Sequence, residues 1–229
     1  MADDGFSKSE AVKFGWEAMK NNFVFFLVFL IVAWAIPGGI SWVGSARPGS
    51  KHLFFPFLFS VLGWVVSIFI NMAVIKIGLR LSAAAGATFD VSDTWSGYPF
   101  FLNYLVGSIL YGLIVLGGLI LLIVPGIIWA IKYSFFGYLI IDRDMGPVEA
   151  LKRSGEITKG NKGNLFLLGL LFFGITLLGA IACGVGLFAA IPTVWIAYAY
   201  VYRRLEYGAA AEPVLQPAQV PGPVRPPGV

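Results

Sequence analysis

The sequence predicts an all-α fold of the polytopic membrane class, with about six transmembrane helices in three hairpins and with amphipathic helices at the cytoplasmic interface. Hydrophobic residues make up 58% of the chain and charged residues only 12%, with a mean hydropathy of +0.83. A soluble domain has roughly 25% charged residues, so this chain has too few to cover a soluble globule. Its charge-free runs are long enough to cross a bilayer, and its charges cluster between them.

The ionisable residues limit the chemistry that the chain can support. Its net charge of +4 is spread between the apolar runs instead of forming a basic stripe, which argues against nucleic acid as a partner. One cysteine, Cys183, excludes an intramolecular disulfide and a cysteine-based metal cluster, and one histidine, His52, excludes a histidine cluster. The sequence has neither a nucleophile elbow nor a phosphate-binding glycine loop. We therefore predict no cofactor and no enzymatic activity.

The N-terminal segment, residues 1–22, is predicted to form an amphipathic interfacial helix over 7–22, because Ser7 and Glu10 have the spacing of a capping box. An alternative is a cleaved signal peptide, with Ala33-Trp34-Ala35 as the cleavage site. However, the region before the apolar run is long and contains acids, and the run itself continues past Ala35. We expect this first span to be retained.

The transmembrane domain is predicted over 23–204. Pro37 should kink or end the first span near its far end, Pro125-Gly126 should turn the chain between the third and fourth spans, and Gly184-Val185-Gly186 should divide the last two. The fourth span is only about 23 Å long against a hydrocarbon core of about 30 Å. Either its turn lies below the outer surface, or the bilayer thins there. The six predicted spans are 23–43, 53–75, 100–124, 127–141, 165–183 and 187–202.

One long charged segment, Gly146–Asn161, lies between apolar runs and predicts an interfacial helix over 147–160. Gly146 can serve as the N-cap, and Pro147 suits the first helical position. At 100° per residue, the charges gather on one side and small or apolar residues on the other. We favour a solvated, internally paired surface; the alternative is a docking face for a cytoplasmic partner or anionic headgroups. The residues of this face are Glu149, Lys152, Arg153, Glu156 and Lys159.

The charges of this segment repeat those of the N-terminal helix at a constant offset. Glu10 corresponds to Glu149 and Lys13 to Lys152, and the next glutamate and lysine of each segment correspond in the same way. An apolar span follows each copy. We interpret the two segments as an internal repeat.

Basic residues predict the orientation of the chain. With six spans, every lysine and arginine except Arg47, Lys51 and Lys132 falls on one side, together with all aspartates and glutamates. The positive-inside rule then puts both termini in the cytoplasm of a multi-pass cell-membrane protein. The tail, residues 205–229, is rich in proline and alanine and is predicted to be disordered and cytoplasmic.

Lys132 is the one charge inside a predicted span, about 15 Å from Asp142 along a helix. Because no carboxylate lies within the spans, its partners must be other groups. We favour a structural role; the alternatives are an anionic-lipid contact and a substrate site. Asn71 and Asn103 could hydrogen-bond across helices, and packing is the favoured role for both. These three residues form the candidate intramembrane polar locus.

The segment 124–170 contains a set of residues with a recognisable order and spacing: Pro125, Gly126, Lys132, Ser134, Asp142, Glu149, Ala150, Ser154, Gly160 and the apolar run from Leu165. With these residues the segment resembles a bacterial family of six-span membrane proteins. That family includes the membrane domain fused to some glycerophosphoryl diester phosphodiesterases, and related domains of unknown function. The resemblance implies an all-helical membrane bundle. It does not imply phosphodiesterase activity, because that chemistry belongs to a separate soluble domain of the fused proteins.

The expected function is therefore that of a non-enzymatic membrane scaffold or accessory factor, which engages lipid or a protein partner through its cytoplasmic face. The alternative is a permease for a small or lipidic molecule, with the intramembrane polar locus as its binding site. Membrane lipids are the expected partners in either case, and a cytoplasmic or membrane protein is a further candidate. The sequence does not define the oligomeric state.

Overall fold

A computed structural model describes residues 6–45, 54–83, 98–181 and 184–208, and throughout these residues the fold is all-α. A short 3₁₀ helix, Tyr98–Phe100, precedes the third long helix. The predicted loop with Arg47 and Lys51, the segment 84–97, Cys183 and the tail after residue 208 lie outside the described residues. The α-helices are α1 Lys8–Asn21, α2 Phe23–Ser45, α3 Phe54–Ala83, α4 Phe101–Leu121, α5 Ile123–Lys132, α6 Phe136–Arg143, α7 Pro147–Ile157, α8 Lys162–Ile181 and α9 Leu187–Tyr207.

Five stretches of the described residues are long and apolar enough to cross a membrane, which indicates a multi-pass membrane protein. Their apolar side chains remain widely exposed: Ile120 is 79% exposed, and Ile181 is 72% exposed. In water such a surface would be costly, whereas in lipid it is the expected exterior. The five stretches are Phe23–Ile40, Phe57–Ala83, Phe101–Leu121, Ile123–Arg143 and Lys162–Ile181.

Helix α9, which contains the sixth predicted span, is not among these five stretches and instead lies in the centre of the bundle. It packs against α1, α2, α3 and α8. Ile196, Ala197, Val201 and Tyr202 on this helix are 0–1% exposed. Its small and aromatic side chains therefore face protein instead of lipid, which explains why it is less apolar than the outer helices.

The turn between α4 and α5 lies at Leu122, three residues earlier than the predicted Pro125-Gly126 turn. Leu122 adopts an extended conformation (φ −169°, ψ 151°). Pro125 lies in the first turn of α5, where a missing backbone N–H leaves no hydrogen bond unmade. Gly126 contacts α4, since a Cβ there would lie 2.8 Å from the Leu119 nitrogen. The Pro-Gly pair thus starts α5 and allows it to approach α4.

The predicted fourth span, 127–141, is interrupted in the structure. Helix α5 ends at Lys132, residues 133–135 form turns, and α6 begins at Phe136. By contrast, Pro37 lies inside α2, which continues to Ser45. Helix α9 likewise continues past the predicted end of its span to Tyr207. Pro37 therefore does not end α2, whereas α5 ends at Lys132 in a segment that contains no proline.

Candidate functional site

The two charged helices, α1 and α7, join the next helix through matching backbone hydrogen bonds. The Asn22 amide donates to the Met19 carbonyl at 3.1 Å, and the Asn22 carbonyl accepts from the amide four residues later at 3.1 Å. Asn161 makes the same two bonds, to the Thr158 carbonyl at 3.2 Å and from the amide four residues later at 2.9 Å. The backbone structure thus repeats with the same residue offset as the charges. Each copy consists of a charged helix, an asparagine junction and an apolar helix.

Helix α7 packs against the break between α5 and α6 and satisfies backbone groups that are freed there. The Ser154 hydroxyl donates to the Lys132 carbonyl at 3.0 Å and accepts from the Phe135 amide at 3.1 Å. The Thr158 hydroxyl lies 3.1 Å from the same carbonyl oxygen. Both Ser154 and Thr158 are fully buried. Because an unpaired buried polar group costs about 1–3 kcal/mol, these hydroxyls stabilise the break.

The side chain of Lys132 lies along α7. Its Nζ is 2.9 Å from the Tyr133 hydroxyl and 4.7 Å from the centroid of the same ring. A Cβ on Gly155 would lie 2.9 Å from the Lys132 Cε, so the lysine stem crosses α7 at a residue without a side chain. The predicted lone intramembrane charge is therefore in contact with the charged helix of the second repeat.

Arg153 belongs to the predicted charged face but bonds inside the bundle. Its guanidinium lies 3.1 Å from Glu206 on α9 and 3.1 Å from Glu156. Arg143 holds the same Glu206 carboxylate at 3.0 Å. The Glu206 side chain is only 2% exposed. Hydrogen bonds to Glu206 and then Glu156 raise the pKa of the Arg153 guanidinium above its ordinary value. These ion pairs connect α6, α7 and the end of α9.

A second polar cluster lies at the C-terminal end of α9. Asp142 accepts hydrogen bonds from the hydroxyls of Tyr202 at 2.8 Å and Tyr207 at 2.6 Å. The Arg143 guanidinium lies over the Tyr207 ring, 4.7 Å from its centroid. Burial and, after it, the hydrogen bond to Asp142 raise the pKa of the Tyr207 hydroxyl to about 12. The tyrosines therefore stay protonated and act as hydrogen-bond donors at neutral pH.

The other residues of the predicted charged face point outwards. Glu149, Lys152, Glu156 and Lys159 are exposed. Of these, Glu156 is engaged by Arg153. The structure thus divides the predicted face into two parts. Arg153 pairs with Glu206 inside the bundle, and the remaining residues, which include Lys152 and Lys159, face outwards.

The structure does not gather the predicted intramembrane locus into one site. Asn71 is exposed and donates to the Ser67 carbonyl of its own helix at 2.8 Å. Asn103 is half-buried on α4. In the described part of the chain, no contact joins either asparagine to Lys132.

Aromatic rings fill the centre of the bundle next to the helix break. Phe135 stacks on Tyr198 with 4.7 Å between ring centroids and lies 6.0 Å from Tyr202. Tyr138 lies 5.1 Å from Tyr202. Phe135 and Tyr202 are fully buried. This packing fixes α6 against α9.

The described residues include no cluster of three or more histidine, cysteine, aspartate or glutamate side chains that could hold a metal ion. The outer side of α7 carries both acidic and basic side chains, Glu149, Glu156 and Lys152, and Lys159 follows just beyond its end.

A comparison with known proteins identifies the family. The family model described as "Protein of unknown function (DUF975)" matches residues 50–208. The chain belongs to this family. Family membership covers α3 to α9 and hence the site around α7.

Curated relatives resemble part of the chain. The uncharacterised protein Mb2590 of Mycobacterium bovis is 31% identical over 113 residues, which are 49% of this chain and 34% of that protein. The uncharacterised protein Rv2560 of Mycobacterium tuberculosis is 30% identical over 113 residues. The matched segment thus spans about a third of the length of these relatives. No solved structure matches the chain.

Sequence reasoning missed the inward half of the site. Glu206 falls in the tail predicted over 205–229, and the sequence does not predict its pairing with Arg153. Helical periodicity places Ser154 and Thr158 only on the small-residue face of α7. A serine and a threonine four residues apart on the buried side of a short charged helix are nevertheless a readable signal, because their hydroxyls need partners.

Proposed function

We propose that this chain is a six-span protein of the cell membrane, with three hairpins and both termini in the cytoplasm. It acts without catalysis as a scaffold or accessory factor, and it engages lipid or a protein partner through the face formed by α1 and α7. The resemblance of residues 124–170 to membrane domains fused to phosphodiesterases supports this proposal. In those fusions the membrane part accompanies a catalytic domain.

The topology rests on α9 as the sixth span. Residues 187–202 contain no charge, and the basic pair Arg203-Arg204 follows them. A helix surrounded by other helices can cross a bilayer with less apolar side chains than a lipid-facing helix. With this span included, the lysines of α1 and α7 fall on the same side as the C-terminus, as the positive-inside rule requires.

One observation carries the proposal of a common face: α1 and α7 both contact the C-terminal half of α9. Phe14 on α1 lies 5.1 Å from Tyr200, measured between ring centroids. Arg153 on α7 pairs with Glu206 on the same helix. Each helix buries small residues against the bundle and exposes lysines. Two equivalent helices thus pack on the same helix and expose lysines to a partner.

The permease remains the second candidate because the fourth span is discontinuous. Broken helices with free backbone groups form the binding sites of many transporters. Here, however, Ser154 and Thr158 occupy the groups at the break, and aromatic rings fill the space beside it. The scaffold is therefore the better-supported proposal.

Site-specific photocrosslinking in living cells tests the proposal. A photoreactive residue at position 152 is compared with one at Leu170, an exposed apolar residue of α8. We expect position 152 to yield a defined adduct that position 170 lacks. The same products at both positions would contradict a working face on α7. A solute flux in reconstituted vesicles that is abolished by Lys132→Met would favour the permease instead.

A further inference from the structure

The contacts of Lys132 determine where its charge lies. Its backbone is anchored by Ser154 and Thr158, and its stem crosses Gly155. The ammonium group must therefore stay close to α7. In this position Lys132 is not an isolated charge in the centre of a span, because it lies beside a helix whose outer side is exposed and charged.

Two more lysines flank the crossing point. Lys152 lies about one turn before Gly155 and Lys159 about one turn after it, so both lie on the same side of α7 as Gly155. The turn continues past the end of the helix, since the Lys159 amide donates to the Glu156 carbonyl at 3.0 Å. Lys152 and Lys159 are both exposed. Both exposed lysines therefore lie within about one helical turn of the point where the stem of Lys132 crosses α7.

Two acids of α7, Glu149 and Glu156, are exposed near these lysines. The Glu156 carboxylate accepts a hydrogen bond from Arg153. Glu149 lies further round the helix from Gly155 than Lys152 does. In the described ranges, no carboxylate lies within 4 Å of the ammonium groups of Lys132, Lys152 or Lys159. Three cations without an anionic partner favour an anion between them, and a phosphate can accept hydrogen bonds from several lysines at once.

An apolar surface lies next to the lysines and favours the phosphate of a lipid as their ligand. Helix α5 leads to Lys132, and its residues Ile123, Val124 and Ile128 are exposed. An acyl chain can lie on this apolar surface while the headgroup reaches the lysines at its end. This sequence of apolar and cationic surface fits a phospholipid, whereas a free phosphate would use only the cations.

We propose that Lys132, Lys152 and Lys159 form a binding site for the headgroup phosphate of an anionic phospholipid. This site rests on the proposed function and deepens it by naming the ligand class. The lysines bind the phosphate, Gly155 leaves room for the stem of Lys132, and α5 holds an acyl chain.

Native mass spectrometry of the full chain tests the site. The protein is extracted in detergent and titrated with phosphatidylglycerol or with phosphatidylcholine. We expect phosphatidylglycerol to bind in preference. Each lysine changed to glutamine should weaken its binding by about fivefold, so that Lys132→Gln/Lys152→Gln/Lys159→Gln abolishes the preference. The surface pair Lys152→Gln/Lys159→Gln serves if the triple variant does not fold.

The first repeat provides the matched control. Lys13 and Lys20 are the exposed counterparts of Lys152 and Lys159, but Trp16 stands where α7 has Gly155. The variant Lys13→Gln/Lys20→Gln should weaken the binding of phosphatidylglycerol less than Lys152→Gln/Lys159→Gln does. Equal losses in both sets of variants would show a general charge effect and overturn the site. Displacement of the lipid by inorganic phosphate at equal concentration would also overturn it.

The lipid assay and the photocrosslinking separate the two proposals. If position 152 gives its own adduct while the variants bind phosphatidylglycerol like the wild type, the lipid site is wrong and the working face stands. If the variants lose the lipid but position 152 gives only the products of position 170, the site stands and the scaffold is wrong.

Discussion

The segments of α1 and α7 share four charges at the same spacing, yet the two helices pack in different ways. In α1, Gly15 allows a close approach to a continuous helix: a Cβ there would lie only 2.3 Å from the Thr193 carbonyl oxygen of α9. In α7 the equivalent residue is Ser154, whose hydroxyl bonds to the Lys132 carbonyl at a helix break. Helix α1 therefore packs closely because Gly15 has no side chain, whereas a hydrogen bond from Ser154 holds α7 in place.

The position that follows Gly15 in α1 and Ser154 in α7 shows a second difference between the two helices. Trp16 in α1 is 46% exposed, and the Lys20 ammonium lies 5.9 Å from its ring. The equivalent Gly155 in α7 leaves space that the stem of Lys132 fills. The shared charge pattern thus predicts which lysines are exposed, whereas the uncharged residues between them decide what those lysines surround.

The largest effect is expected for Gly15→Ala. A new methyl group cannot fit 2.3 Å from a backbone oxygen, so α1 must move away from α9, at a cost of about 3 kcal/mol. Thermal unfolding of the purified protein in detergent measures this as a lowered Tm. Gly174→Ala on α8 is the control, because nothing lies within 4 Å of a Cβ there. Equal Tm values for the two variants would contradict the close α1–α9 contact.

Ser154→Ala should cost about 2 kcal/mol, because it leaves the buried Phe135 amide without its partner. The Lys132 carbonyl still has the Thr158 hydroxyl 3.1 Å away, but that hydroxyl lies closer, at 2.8 Å, to the Ser154 carbonyl of its own helix. Ser108→Ala removes a hydroxyl that bonds only within its own helix and should lower the Tm less. A loss at Ser154 no greater than at Ser108 would show that α7 does not stabilise the break.

Glu206→Gln should cost about 1–2 kcal/mol, since it weakens the bonds to Arg143 and Arg153 at a buried carboxylate. The arginines are about 40% exposed, which reduces the penalty of leaving them without a full counter-charge. Glu156→Gln, at a side chain that is 65% exposed, should change the Tm little. If the two variants have the same Tm, the ion pairs of Glu206 with Arg143 and Arg153 do not contribute to the stability of the fold.

The smallest effect is expected for Gly155→Ala, below about 1 kcal/mol, because the new methyl group meets the far end of a flexible lysine. The stability should hardly change, but the Lys132 ammonium must move. Binding of phosphatidylglycerol in the native mass spectrum should therefore fall while the Tm is kept. A large loss of stability would show that Gly155 serves helix packing, as Gly15 does.

Local signals in the sequence predicted the helices well where a cap is present. Ser7 accepts from the Glu10 amide at 3.4 Å, and α1 begins at Lys8, one residue after the predicted start. Gly146 and Pro147 begin α7 as predicted. Such caps act within a few residues, so a single sequence is sufficient to recognise them.

The break after Lys132 could not be predicted from the sequence, because Tyr133, Ser134 and Phe135 include no helix-breaking residue. It persists because α7 supplies hydroxyl groups from residues distant in the sequence. The inward turn of Arg153 has the same origin, since Glu206 lies on another helix. Periodicity predicted which residues share a helix face, but only tertiary packing determines which of them find partners inside the bundle.

The most direct test of the account is whether α1 and α7 face the same aqueous side. In a Cys183→Ala background, single cysteines are introduced at Lys13, Lys152 and Val185, and intact cells are treated with a maleimide that does not cross membranes. We predict labelling at position 185 in intact cells, and at positions 13 and 152 only after permeabilisation. Labelling of positions 13 and 152 from opposite sides would contradict the six-span topology and the common face.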